Sequence, residues 1–431
     1  MKINISPIVA NSLCCGCGTC ASICPTNAIS ITVSEGLFKP EVEVEKCVDC
    51  HRCVLSCPSY SMDYKKFNSE IFENQPVNKL LGNFLKCFVG HSMDEQLRFS
   101  STSGGLITQL LIFALESNFI DGALVTRMKS DNPLETESFI ARTREEIISA
   151  SRSKYCPVSA NSALKKIMKE DGRFAVVGLP CHLNGVRKAE SLDESLNEKI
   201  VLHVGLLCSH MVSFLGTEFL LEKLHISKDD VKSLSYRGKG WPGSMSIELK
   251  DGNCLDVPLF GDWNAYWPVF SSFFFTPICC TMCPDQAAEF ADLAFGDAWL
   301  REFGGEKVGE SIILARTKVG ENFLYQASQN NAIFLKSVPC EKVEESQSVN
   351  LVIKKSDLAT RLFLRRVVGK EVPRHNLNFE GRLSLISFVR ALFVYFNIWA
   401  SSKRFFRSIL CRVPFPLFRA YYGLYKYLSI I

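Results

Sequence analysis

The sequence predicts an α/β core, with a small α+β module in front of it and a helical tail behind. Three observations predict this. Two dense cysteine runs fall within residues 1–62. From about 86 to 370, short apolar runs bounded by Gly and Pro alternate with amphipathic stretches, as strands alternate with helices. From 371 onward the chain turns basic and aromatic, with nine Lys/Arg against two Glu. A length of 431 residues suits two or three domains.

With 47% hydrophobic and 22% charged residues and a net charge of +4, the balance is that of an ordinary globular chain. Nineteen cysteines are many for this length. Residues 1–10 lack an apolar stretch long enough for a secretory signal. The expectation is a cytoplasmic protein whose thiols stay reduced and available to metal. No stretch reaches the roughly 20 uninterrupted apolar residues of a membrane span.

The first cysteine run is Cys14-x2-Cys17-x2-Cys20-x3-Cys24-Pro25, and the second is Cys47-x2-Cys50-x2-Cys53-x3-Cys57-Pro58. Each has the spacing of bacterial ferredoxins, in which the fourth cysteine of one run ligates the cluster of the other. Two [4Fe–4S] clusters are therefore expected. One is held by Cys14, Cys17, Cys20 and Cys57, the other by Cys47, Cys50, Cys53 and Cys24. Cys15 falls outside the spacing and reads as a spare thiol. The alternative is structural zinc, although four-cysteine zinc sites usually show two separated CxxC pairs.

Residues 63–85 are polar and Asn-rich and read as a linker. Within the core, strands are expected at 86–91, 122–128, 174–179 and 200–207, and helices at 105–117 and 159–169. A hairpin is expected at 249–254, around Asp251-Gly252. Four motifs stand out. Ser100-Ser101-Thr102-Ser103-Gly104-Gly105 joins a strand to a helix, where backbone N–H groups favour an anion. Gly178-Leu179-Pro180-Cys181-His182 and Gly205-Leu206-Leu207-Cys208 each place a cysteine after a strand. Cys280-Thr281-Met282-Cys283-Pro284-Asp285 leads into Ala291-Asp292-Leu293.

In this order the four motifs resemble the family of beta subunits of coenzyme F420 hydrogenases and dehydrogenases, over residues 86–370. The resemblance implies an α/β core that binds FAD, in two parts, 86–165 and 166–370. It implies a third [4Fe–4S] cluster on Cys181, Cys208, Cys280 and Cys283, with Cys279 as an alternative to Cys280. It points to Ser101, Thr102, Ser103, Gly104, Gly105 and Thr108, with Ser153, Lys154 and Tyr155, as FAD-binding residues. His182 departs from the Gln common in the family. The loop Tyr236-Arg237-Gly238-Lys239-Gly240-Trp241-Pro242 would border the cleft for an anionic donor, and Asp297 reads as structural.

The implied function is that of an oxidoreductase passing electrons between a hydride donor or organic substrate at FAD and one-electron carriers. Reduced coenzyme F420 or ferredoxin would be the redox partner. Members standing apart from hydrogenases imply a place in polysaccharide synthesis and a sugar-linked substrate. The rival reading is a relay subunit of a larger complex, with no substrate site of its own. Whether the chain forms a homo-oligomer is left open. The tail, 371–431, suits helices lying at an anionic inner membrane face or docking on a partner. Nothing besides its basic character suggests nucleic acid.

Overall fold

A computed structural model describes residues 2–262, 264–377 and 383–430. Residues 378–382 and 431, part of the expected tail, lie outside the described residues.

The core is one eight-stranded sheet. Its strands in chain order are β1 (Lys86–Ser92), β2 (Gly122–Met128), β3 (Thr136–Ala141), β4 (Phe174–Gly178), β5 (Ile200–Leu206), β6 (Leu293–Asp297), β7 (Ser311–Ala315) and β8 (Ile333–Val338). In space they run β8-β1-β7-β6-β5-β4-β2-β3. The central four, β6, β5, β4 and β2, are parallel. The flanks are antiparallel. Both faces are covered, which explains the continuous apolar runs. Leu124, Val176, Ala294 and Ile312 pack into one face's core, and Val125, Ala175, Phe295 and Ile313 into the other's. In such sheets ligands bind beyond the carboxyl ends of the parallel strands, which is where β4 leads to Cys181 and β5 to Cys208.

Helix α1 (Leu106–Glu116) follows β1, and α2 (Pro180–Glu190) follows β4. Gly105 precedes α1 with φ +73°, a left-handed turn that suits glycine. The stretch expected as a helix at 159–169 begins as a 3₁₀ turn, Ala160–Ala163, before Leu164–Lys169. The expected hairpin joins Ser244–Leu249 to Cys254–Pro258 in a separate three-stranded sheet.

The N-terminal module contains a hairpin, Ile29–Ser34 with Leu37–Val42, and two short helices, Thr19–Ser22 and Arg52–Leu55. The linker expected at 63–85 is instead ordered against the core. It carries a helix, Tyr64–Phe72, because Tyr64 and Phe67 both pack on Phe290 and Leu81 is fully buried. Asn residues that looked like linker composition make structural bonds: Asn83 donates to Asn68, and Asn68 to the Tyr64 carbonyl.

The tail folds as α3 (Leu385–Ser402), α4 (Arg404–Arg412) and α5 (Phe415–Ile430). Helix α3 has the length and composition of a membrane span, although Arg390 and Asn397 interrupt its apolar run, with 44% of that window buried inside the protein.

Candidate functional site: three thiol groups and a cleft

Both cysteine runs coil alike. Gly16 and Gly18 take φ values of +71° and +86°, and their counterparts Asp49 and His51 take +57° and +61°. These left-handed positions wind each run into a tight loop ahead of its short helix. Cys24, Cys47, Cys50 and Cys53 line one small cavity. Burial raises the Cys53 thiol, with Cys50 and Cys24 adding repulsion. Cys14, Cys17, Cys20 and Cys57 form a second group. Burial pushes Cys14 up to about 12, with Cys17 and Cys57 adding, and Cys20 is raised by burial and then by Cys17, Cys14 and Cys57. The fourth cysteine of each run thus sits with the opposite run.

A third group forms at the ends of β4 and β5. Burial pushes Cys208 up to about 12, with Cys280 and Cys283 adding. Cys181 takes a hydrogen bond from Cys15, yet burial and the neighbours Cys283 and Cys208 leave it raised. Cys279 and Cys280 divide. A hydrogen bond from Cys279 and the charge of Lys354 hold Cys280 down at about 6, whereas Cys279 is raised and faces Cys15 and Cys14. Burial and mutual repulsion disfavour the thiolate form at most of these cysteines in the free protein. Bound cations would reverse that, since a coordinating thiol is deprotonated outright. Among the described residues no three His, Cys, Asp or Glu side chains close on a single metal ion.

Sequence reasoning missed several residues around these groups. Cys15 touches both Cys17 and Cys181, so it lies between the second and third groups. Lys354 is 2% exposed on a π-helical turn, Val352–Ser356, and its Nζ donates to the Cys280 carbonyl at 3.2 Å. Burial opposes its charge, while Cys283, Cys208 and Cys280 favour it. Asn161 pins the module to the core: its backbone N–H donates to the Cys17 carbonyl, and its Nδ2 to Thr19 Oγ1 and the His182 carbonyl. Lys188 Nζ donates to the Cys57 carbonyl at 2.9 Å. Cys15 reads as a spare thiol within the first run, the other three lie in no motif, and only the fold brings them together.

Beside the third group opens a cleft of about 850 Å³, within the range of cofactor sites. Ser101, Thr102, Ser103, Gly105, Thr108, Ser153, Lys154 and Tyr155 line it, together with Cys208, Arg237 and Asp297. The two expected segments meet directly, since the Ser153 N–H donates to Thr102 Oγ1 at 2.8 Å. Gly104 lies beneath the loop and donates its N–H to Ser311 Oγ. Lys154 Nζ caps the end of the helix Arg144–Ser149, donating to the carbonyls of Ala150, Ser151 and Arg152. Burial pushes its ammonium down to about 7. His182 is buried and neutral, pushed down to about 4, and its Nδ1 accepts from the Leu179 N–H.

Arg237 dominates the cleft wall. It is 1% exposed. Its Nη1 donates to Asp297 Oδ2 at 2.6 Å and to the Tyr155 hydroxyl at 3.2 Å, and its Nε to the Pro242 carbonyl. Trp241 and Trp299 face the guanidinium at 4.9 and 5.5 Å. Asp297 is therefore Arg237's counter-ion. On two residues of the cleft wall, Arg237 Nη2 and Ser101 Oγ are buried without a hydrogen-bond partner. Such atoms are costly unless something pairs with them, so the cleft fits a bound group with acceptor oxygens or nitrogens.

The fold and these groups match known proteins. A family model for the "Coenzyme F420 hydrogenase/dehydrogenase, beta subunit N-term" matches residues 87–165, and its C-terminal counterpart matches 171–341. A "4Fe-4S dicluster domain" matches residues 13–61. The chain is 28% identical over 271 residues to the coenzyme F420 hydrogenase subunit beta of Methanosarcina barkeri, covering 61% of this chain and 85% of that one. It is 26% identical over 272 residues to the coenzyme F420 hydrogenase subunit beta of Methanothermobacter thermautotrophicus, covering 62% and 88%. It is 27% identical to the coenzyme F420-dependent sulfite reductase of Methanocaldococcus jannaschii, covering 83% of this chain and 52% of that enzyme. A solved chain of the F420-reducing NiFe hydrogenase complex from Methanosarcina barkeri superposes with a TM-score of 0.54 at 25% identity, covering 69% of this chain and 98% of that one. The chain belongs to the family of coenzyme F420 hydrogenase/dehydrogenase beta subunits, as an iron–sulfur protein of oxidoreductase type.

Proposed function

We propose that the protein is an iron–sulfur flavoprotein exchanging electrons between a two-electron donor or organic substrate in the cleft and a one-electron carrier at the module's surface. The observation that carries this reading is one cleft lined both by the Ser101–Thr108 loop region and by Cys208, with Arg237 Nη2 and Ser101 Oγ unpaired in its wall. FAD would occupy the cleft, and a third [4Fe–4S] cluster would sit on Cys181, Cys208, Cys280 and Cys283. A flavin, when bound, exchanges hydride with two-electron donors and single electrons with clusters. The residues hold and orient. Arg237 places a buried positive charge in the cleft wall while Asp297 fixes the guanidinium. Trp241 and Trp299 shield it from water, and Lys354 supplies positive charge to the thiolates. Reduced coenzyme F420 or ferredoxin remain the proposed partners, in the cytoplasm. A sugar-linked substrate in polysaccharide synthesis is the proposed alternative at the cleft.

Anaerobic purification tests this reading. The expected protein is brown and releases FAD on denaturation. Clusters without flavin would favour the relay reading, which the relatives named as subunits of larger enzymes support. A colourless protein holding zinc would overturn both.

A further inference from the structure

Helices α3 to α5 carry features that the redox site does not use. On α3, Leu385, Val389, Leu392, Phe396 and Trp399 recur every three or four residues and stay exposed, Leu385 at 82%. Arg390, Ala391, Val394, Asn397 and Ile398 turn inward. The inner face is firmly held: Arg390 makes a bidentate pair with buried Asp357 at 2.7 Å, and Asn397 Nδ2 donates to the Ser272 carbonyl. The outer row continues across the elbow into α4, where Trp399 packs on Phe406 at 4.9 Å and Phe405 is 70% exposed. Helix α4 buries none of its residues. Leu417, Leu424 and Tyr427 extend the exposed apolar set along α5. A continuous row of this kind differs from the scattered apolar residues of ordinary surfaces.

The charge on these helices has one sign. Residues 383–430 contain no Asp or Glu, while Lys403, Arg404, Arg407, Arg412, Arg419 and Lys426 are spread along them. Apolar side chains beside long cations suit a bilayer interface, where the stems lie along the apolar boundary and the charged heads meet phosphate.

We infer that the outer face of α3 and α4 seats the protein on an anionic phospholipid bilayer. Helix α5 links this face to the cleft. Its Tyr421 and Tyr425 stack on Phe393 of α3 at 4.6 and 4.7 Å, while its Arg419, Tyr422 and Lys426 line the cleft. Docking therefore brings the α5 wall of the cleft close to the lipid surface. Neither the face nor its charge depends on which cofactors are bound.

The test is co-sedimentation of the full-length, anaerobically purified protein with vesicles. One set is phosphatidylcholine alone, and the other is phosphatidylcholine mixed with phosphatidylglycerol. The protein should pellet with the mixed vesicles only and be released by high salt. R404Q/R407Q should weaken partition by about thirty-fold, from roughly a fivefold loss per cation. W399E/F405E should abolish it with iron content unchanged, because both side chains face solvent. Wild-type protein that stays in the supernatant with anionic vesicles overturns the inference, as does W399E/F405E that pellets undiminished. A dimer in vesicle-free solution that W399E/F405E dissociates would assign the face to a second copy instead.

Discussion

The two cysteine runs share a motif and a backbone path but leave their sulfurs in different surroundings. In the group of Cys24, Cys47, Cys50 and Cys53, Cys50 is exposed and Cys47 half-buried. In the group of Cys14, Cys17, Cys20 and Cys57, three thiols are buried and only Cys14 is partly reached by solvent. The difference comes from the core. Asn161 and Lys188 grip the chain around Cys17 and Cys57, and Cys15 touches both Cys17 and Cys181. One group thus faces outward, where a partner protein can approach, and the other faces the third group and the cleft. A repeated motif acquires two positions in a file because the larger domain covers one copy and not the other.

The sharpest way to break this comparison is to remove one sulfur from each group. Cys50→Ser and Cys57→Ser should each lower iron by about four per chain. Only Cys57→Ser should also lower thermal stability, by roughly 1–3 kcal/mol, because it puts a polar hydroxyl into a buried site. Cys24→Ser should change the same spectroscopic signal as Cys50→Ser, not that of Cys17→Ser. Equal stability losses from Cys50 and Cys57 would erase the inner–outer distinction.

A second experiment sharpens the third group. Lys354→Met removes the buried cation beside Cys208, Cys280 and Cys283. In a redox titration followed by electron paramagnetic resonance, one cluster should shift to lower potential by about 60 mV, a tenfold change for one electron. The other two should stay in place. Arg237→Gln addresses the cleft. It should weaken flavin retention at least tenfold, about 1.4 kcal/mol, with iron content unchanged.

The smallest effect concerns pH. His203 lies between Glu190 and Asp292, at 2.7 and 3.0 Å. Burial opposes the charges, but His203 and Arg187 hold both carboxyls below their usual range, and the carboxylates raise His203. The carboxylates stabilise the fold above about pH 4, and this is lost as pH falls through their lowered values. The histidine stabilises it below about pH 6.5, and this is lost as pH rises through its raised value. Thermal unfolding across pH should show both declines, and His203→Gln should flatten them.

Much of the fold was legible in the sequence because parallel strands covered on both faces leave unbroken apolar runs, as at 122–128 and 200–207. The cysteine runs were legible because cluster geometry constrains local spacing. The cleft segments around Ser101 and Ser153 came only through resemblance to a family. Lys354 and Asn161 were not legible at all, and Cys15 read only as a spare thiol. Each matters through neighbours distant in sequence, and no local spacing encodes such a contact. The 63–85 stretch misled for the opposite reason: its Asn residues look like solvated linker, but Asn68 and Asn83 bond to each other and both are buried.

The central claim is that the file of thiol groups continues past the dicluster module to a flavin cleft. Iron and flavin content of the full-length protein, purified anaerobically, tests it most directly. About twelve irons are expected, from three cubanes of four, with one flavin per chain. About eight irons and no flavin would leave the module alone carrying clusters and would contradict it.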